Sequence, residues 1–138
     1  MLLSGGEKMK RILWVILITF IFISCSGEND GKKINPSDHK VIGEIIDGVR
    51  FIEVEAYSFA FEPDYIVVNS GEKVKLNFTT RDVEHGFMIE EMNINVSINP
   101  AEISTIEFTS EKSGIYKFRC SVPCGSGHKK MTGYLIVK

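Results

Sequence analysis

Gly114-Ile115-Tyr116-Lys117-Phe118-Arg119 runs into Cys120-Ser121-Val122-Pro123-Cys124-Gly125-Ser126-Gly127-His128-Lys129-Lys130-Met131, and the chain leaves this loop through Thr132 to Val137. On the near side, Tyr116 and Phe118 alternate with Lys117 and Arg119, the two-residue period of a strand with one face buried and one in water. The same period recurs upstream. Val74, Leu76 and Phe78 alternate with Lys73, Lys75 and Asn77, and Ile106 and Phe108 alternate with Thr105 and Glu107. Further apolar stretches lie at Phe51 to Val54, Tyr57 to Phe61, Tyr65 to Val68, Phe87 to Ile89, Ile94 to Ile98 and Tyr134 to Val137. Asn69-Ser70-Gly71-Glu72, Asn99-Pro100 and Ser113-Gly114 punctuate them as turns. Many short strands at this spacing, with no long helical period after residue 25, predict an all-β antiparallel sandwich or barrel.

The chain is 138 residues long, enough for one core and too short for an enzyme with a separate cofactor domain. Its charged and hydrophobic fractions, 25% and 43%, are globular values, and a formal net charge of −2 offers no cationic surplus for nucleic acid. The first 24 residues have another character. Lys8, Lys10 and Arg11 precede a run from Ile12 to Ile23 broken only by Thr19, which then meets Ser24-Cys25-Ser26-Gly27. A basic start, a short apolar run and a small residue before a cysteine read as a secretory signal, and Phe22-Ile23-Ser24-Cys25 resembles a bacterial lipobox with Cys25 as the lipidated residue. The run is shorter than the roughly 20 residues a spanning helix needs. Residues 1–24 are thus assigned to the signal, and 25–40 to the lipidated Cys25 and a polar tether with a flexible-chain reach of roughly 20 Å. Residues 41–138 form the domain. The chain without its signal is acidic, at about −4 with neutral His, and its expected place is the outer face of the cytoplasmic membrane or the periplasm.

Chemistry concentrates in the loop. Two thiols, an imidazole and a thioether fall between Cys120 and Met131, and soft sulfur with imidazole selects copper over magnesium, calcium or manganese. His85, on another strand or turn, reaches the loop only if the fold brings it there. Each residue also has an ordinary role: a Cys120–Cys124 disulfide, surface or core histidines, a core methionine. Zinc suits two Cys and two His but has no use for a thioether. A mononuclear blue-copper site needs one Cys, two His and an axial Met. A second thiolate is surplus there, whereas two thiolates can bridge two copper ions.

His85 followed about 35 residues later by Cys120-x3-Cys124-x3-His128-x2-Met131 resembles the dinuclear copper A centre of cytochrome c oxidase subunit II and nitrous oxide reductase. The likeness extends over Phe59 to Lys138 and includes Asp82-Val83-x-His85-Gly86-Phe87, Asn93-Ile94-Asn95-Val96 and Gly133-x-x-Ile136-Val137. It implies a Greek-key cupredoxin barrel holding two copper ions. Cys120 and Cys124 would bridge them, His85 and Met131 completing one ion, and His128 and the Val122 carbonyl the other. Length and three His exclude the propeller domain and His-rich cluster of nitrous oxide reductase.

The resemblance further implies electron transfer from a c-type cytochrome or similar donor to a membrane oxidase catalytic subunit. The chain would act as subunit II of a terminal oxidase or as a free-standing relative, with no catalysis of its own. A membrane-anchored protein for copper delivery or storage is the alternative. Two positions depart from the family. Val122 stands where proton-pumping oxidases carry a magnesium-holding Glu, and the Trp-containing aromatic patch is absent, with Tyr57, Phe59 and Phe61 its nearest substitutes and Trp14 in the signal. Lys129 and Lys130 flank a ligand and are expected on the surface nearest the metals.

Overall fold

The computed structural model describes residues 33–138. The signal segment, Cys25 and the first part of the tether lie outside them. Ten strands form two five-stranded sheets: β1 (Glu44–Ile46), β2 (Val49–Tyr57), β3 (Ala60–Glu62), β4 (Tyr65–Val68), β5 (Lys73–Thr80), β6 (His85–Ile89), β7 (Ile94–Ile98), β8 (Ser104–Thr109), β9 (Gly114–Arg119) and β10 (Thr132–Val137). The first sheet has the order β1-β2-β5-β8, with β3 also paired to β2, and the second has the order β4-β10-β9-β6-β7. Among the described residues, helix is confined to three single 3₁₀ turns, and no helix is long and apolar enough to cross a membrane.

The alternation read from the sequence becomes the interior. Val74, Leu76 and Phe78 of β5 are fully buried and face Ile52, Val54 and Ala56 of the neighbouring β2. The second sheet contributes Ile66, Phe87, Ile89, Ile98, Phe118 and Leu135 to the same cluster. Toward one end of the sandwich the core turns aromatic. The Phe87 ring lies 4.6 Å from that of Phe78, 4.8 Å from Phe118 and 5.8 Å from Phe61, in tilted and edge-on pairs.

Three expectations change. The sandwich is mixed rather than antiparallel, because β2 pairs parallel with β5 and β4 with β10. The chain crosses repeatedly from sheet to sheet, so a strand that rejoins its first sheet can do so in the original direction. Tyr57 to Phe61 is not one strand. Its apolar residues divide between β2 and β3 across a tight turn at Ser58 and Phe59. The segment assigned to the tether carries contacts before residue 41: His39 stacks on Tyr65 at 4.2 Å, and Tyr65 in turn on Tyr134 at 5.8 Å. Tyr65, Val67, Tyr134 and Ile136 share the outer face of the second sheet by register, and Val67 and Ile136 are buried there. Strand β1 was not expected. Its signal is Asp47-Gly48, a two-residue hairpin loop with φ of 51° and 79°, the pair of positive values that a type I′ turn demands.

At the pole where β5 begins, Arg50 donates to both carboxylate oxygens of Glu72, at 2.6 and 2.7 Å, and to the carbonyls of Ile42 and Gly43. Asn69 donates to the same carboxylate. The Arg50 hydrogen bonds outweigh the cost of burial and hold Glu72 at about 2, below its ordinary 4.5. This pair therefore contributes stability that is fully present above about 4.5 and lost as pH falls toward about 2. Glu72→Gln should lower unfolding free energy at neutral pH by about 2 kcal/mol, measured by urea denaturation, and should shallow the loss of stability between pH 5 and pH 2.

Candidate metal centre

Strand alternation sets where the chemistry faces. His85 lies two residues before Phe87 on β6, and Cys120 two residues after Phe118 at the end of β9, so both share the inward face of the aromatic cluster and continue it toward the end of the sandwich. His85 is fully buried and Cys120 is 2% exposed. The loop then folds back. Cys120 N–H donates to the Met131 carbonyl at 3.0 Å, closing the loop at its neck, and Met131 is fully buried beneath it.

The loop and β6 approach closely because Gly86 has no side chain: a Cβ there would collide with Ser121 Oγ and lie 3.0 Å from the Val122 amide nitrogen. The Gly86 N–H is thereby free to donate to Cys120 Sγ at 3.4 Å. On the opposite flank the Phe59 ring occupies the space a Cβ on Gly127 would need and lies 3.0 Å from a Cβ on Gly125. Among the aromatic substitutes, only Phe59 is so placed. Phe61 is in the core, and Tyr57 has the Arg81 guanidinium 4.1 Å above its ring.

Of the six residues singled out in the sequence, His85, Val122, His128 and Met131 surround the sulfurs of Cys120 and Cys124. Cys120 Sγ and Cys124 Sγ are free thiols 3.8 Å apart. His85 Nδ1 is 3.9 Å from Cys120 Sγ, and His128 Nδ1 is 3.7 Å from Cys124 Sγ. Met131 Sδ is 3.8 Å from Cys124 Sγ, and the Cys120 thiol donates to the Val122 carbonyl at 3.1 Å. The ligand atoms of His85, Cys120 and Cys124 lie within 4.8 Å of one another, a cluster able to hold a metal ion. Burial first, and then the adjacent Cys120 thiol, push Cys124 up to about 11. Two thiolates side by side in so dry a place need a cation between them, and a donor set of sulfur, imidazole and one carbonyl suits a soft ion such as copper.

A model of the cupredoxin-like domain family matches residues 14–137. The chain belongs to the cupredoxin-like domain family. This domain is 39% identical to cytochrome c oxidase subunit 2 of Thermus thermophilus over 87 residues, covering 63% of this chain and 64% of that protein. It is 27% identical to heme-copper oxidase subunit 2 of Aeropyrum pernix over 97% of this chain and 60% of that one. The chain thus spans less than two thirds of the length of these relatives. A chain of a heme-copper terminal oxidase dimer superimposes with a TM-score of 0.63 at 30% identity, covering 72% of this chain and 71% of that chain.

Within this cupredoxin-like domain, sequence reading quoted Asp82 as part of a motif but gave it no role. Its carboxylate takes the His85 Nε2 hydrogen at 2.7 Å, the Ser58 N–H at 2.7 Å and the Val83 N–H at 2.8 Å. Thr80 Oγ1 stands 3.2 Å from the same carboxylate. Burial opposes its ionisation, but the bonds from His85, Ser58 and Val83 prevail and hold it well below the usual carboxylate range. The bond to Asp82 fixes the His85 ring from its Nε2 side and turns Nδ1 toward Cys120 Sγ. The three-residue interval between Asp82 and His85, flanking the turn into β6, was the available signal. Asp82→Ala should weaken copper affinity about 10–100-fold by competition titration while thermal unfolding stays cooperative, with Asp82→Asn intermediate.

Proposed function

We propose that this chain is an electron-transfer protein that holds two copper ions. It would work as subunit II of a cytochrome c oxidase-type terminal oxidase or as a free-standing relative of that subunit. The observation that carries the reading is the pair of free thiols 3.8 Å apart with one imidazole nitrogen beside each. Copper bound there would supply reversible one-electron transfer.

In this reading Cys120, Cys124, His85, Met131, His128 and the Val122 carbonyl would together hold the two ions, the thiolates and imidazoles as the strong donors and the thioether and carbonyl as the weak ones. The residues themselves do the mechanical work. Burial of His85, Met131 and Cys120 shields the inner side of the site from water and holds these donors in fixed positions, which lowers the rearrangement that accompanies a change of charge. Asp82 fixes the ring of His85 from behind. Val122 contributes a main-chain atom, so its apolar side chain is compatible with binding but offers nothing to a magnesium ion. Such enclosure favours retention of metal over rapid hand-over, which sets this reading above copper delivery or storage.

The expected donor is a c-type cytochrome or similar carrier and the expected acceptor a membrane oxidase catalytic subunit. Likeness to oxidase subunit 2 proteins supports this partnership. Cys25, outside the described residues, is proposed as the lipidated anchor of a protein on the outer face of the cytoplasmic membrane. Residues 25–32 and the stretch before His39 would leave the domain close to the lipid surface.

Metal analysis should find two copper ions per chain, with an electron paramagnetic resonance spectrum of one electron shared between two nuclei. One copper with a single-nucleus hyperfine pattern would refute the dinuclear reading. Cys120→Ser or Cys124→Ser should abolish the two-copper form, since a hydroxyl is neither soft nor readily ionised. Met131→Leu should retain both ions with an altered spectrum and potential, because a thioether is a weak donor that tunes more than it holds. Val122→Glu should leave copper binding nearly unchanged.

For the anchor, mass spectrometry of membrane-extracted protein should find a diacylglyceryl-modified Cys25 as the first residue. An intact peptide spanning Phe20 to Gly27 in the mature protein would instead establish an uncleaved start.

A further inference from the structure

The distribution of cations around the metal end is uneven. The Lys and Arg ion pairs among the described residues, Arg50–Glu72, Lys75–Glu107 and Arg81–Glu55, all belong to the first sheet or to turns at its ends. Arg119, Lys129 and Lys130 are exposed on the second-sheet side and have no such partner among the described residues.

Backbone pairing brings these three together. Cys120 N–H bonds to the Met131 carbonyl, so the 3₁₀ turn His128–Lys130 sits beside the end of β9, where Arg119 points outward. The neighbours of Arg119 across the sheet are Met88 on one side and Thr132 on the other, both neutral. Beyond them Ser121 Oγ bonds to Asn95 Oδ1 at 2.8 Å, again without charge. Glu90 and Glu91 follow the end of β6, and the antiparallel register of Met88 with Arg119 puts Glu90 toward Lys117, away from the loop. Across the metal end, the flank of Phe59 carries exposed Glu62, Asp64 and Asp82, with Arg81 there already paired to Glu55.

We propose that Arg119, Lys129 and Lys130 form a docking patch for a protein partner with a carboxylate-rich face. The patch is adjacent to His128, whose Nδ1 is 3.7 Å from Cys124 Sγ, so a protein seated on it would come as near the two sulfurs as the surface on this side permits. Three exposed cations with no ion-pair partner among the described residues, on a protein that is acidic overall, produce a local field opposite in sign to the whole. Such a field steers encounter with an acidic surface and repels a lysine-rich one. The purpose of the patch rests on the electron-transfer reading, but docking itself requires no metal and can be tested apart from it.

The test is a nuclear magnetic resonance titration of the ¹⁵N-labelled, copper-free full-length chain in detergent, at an ionic strength of about 10 mM, where exposed charges are little screened. Cytochrome b5 serves as the acidic probe and a lysine-rich cytochrome c as the basic one. The proposal expects shifts with the acidic probe confined to residue 119 and residues 128–132. It expects at least about tenfold weaker binding for the triple variant Arg119→Glu, Lys129→Glu and Lys130→Glu. The milder pair Lys129→Gln and Lys130→Gln leaves β9 untouched and should weaken binding in the same direction, with a flatter salt dependence. No binding of the acidic probe to the wild-type chain would overturn the proposal, as would shifts centred on Phe59 or equal affinity of wild type and both variants. Two coppers bound by a chain that fails this test would leave the electron-transfer reading standing and remove only the patch.

Discussion

The rings of Phe61, Phe78, Phe87 and Phe118 meet toward the metal end of the sandwich core in tilted and edge-on contacts, with centroids 4.6 to 5.8 Å apart. Everything above them depends on that floor. His85 and Cys120 are each two residues from one of these rings on its own strand, so the packing that fixes Phe87 and Phe118 also fixes the height and direction of an imidazole and a thiol. A core of interdigitated rings resists collapse. It can therefore hold a buried thiol and a buried imidazole side by side, facing the loop that carries the second thiol.

The two poles of the domain solve different problems with similar parts. At one, the Glu72 carboxylate gathers Arg50 and Asn69 and thereby ties the segment before β1 to the turn before β5. At the other, the Asp82 carboxylate gathers Ser58, Val83 and His85, tying the β2–β3 turn to the start of β6. Both acids are held ionised by donors that outweigh partial burial. The first serves cohesion alone. The second also orients a ring whose other nitrogen faces the thiols, and through Ser58 it secures the turn that presses Phe59 onto the loop glycines.

Glycine matters here through what it lets approach. Gly86 admits the loop to β6 and frees an N–H for the Cys120 sulfur, and Gly127 admits the Phe59 ring. The loop is consequently gripped from two sides, by strand β6 of the second sheet and by the β2–β3 turn of the first. Its exposed outer rim, with Lys129 and Lys130, remains available to other molecules.

The fold class was legible because burial on one face imposes a two-residue period, and Val74, Leu76 and Phe78 or Tyr116 and Phe118 display it without any knowledge of partners. The four loop residues were legible because Cys120, Cys124, His128 and Met131 are close in sequence and chemically rare. His85 joined them in sequence only through resemblance to a family, since nothing local in residues 82–87 says which loop a histidine will meet. The parallel pairing of β2 with β5 and of β4 with β10, the split at Ser58 and Phe59, the packing of His39 on Tyr65 and the bond from His85 to Asp82 were decided by the tertiary structure. Each joins segments through sheet crossings, edge contacts or side-chain direction. Periodicity determines which face of a strand is buried, whereas only the packed chain determines what that face touches.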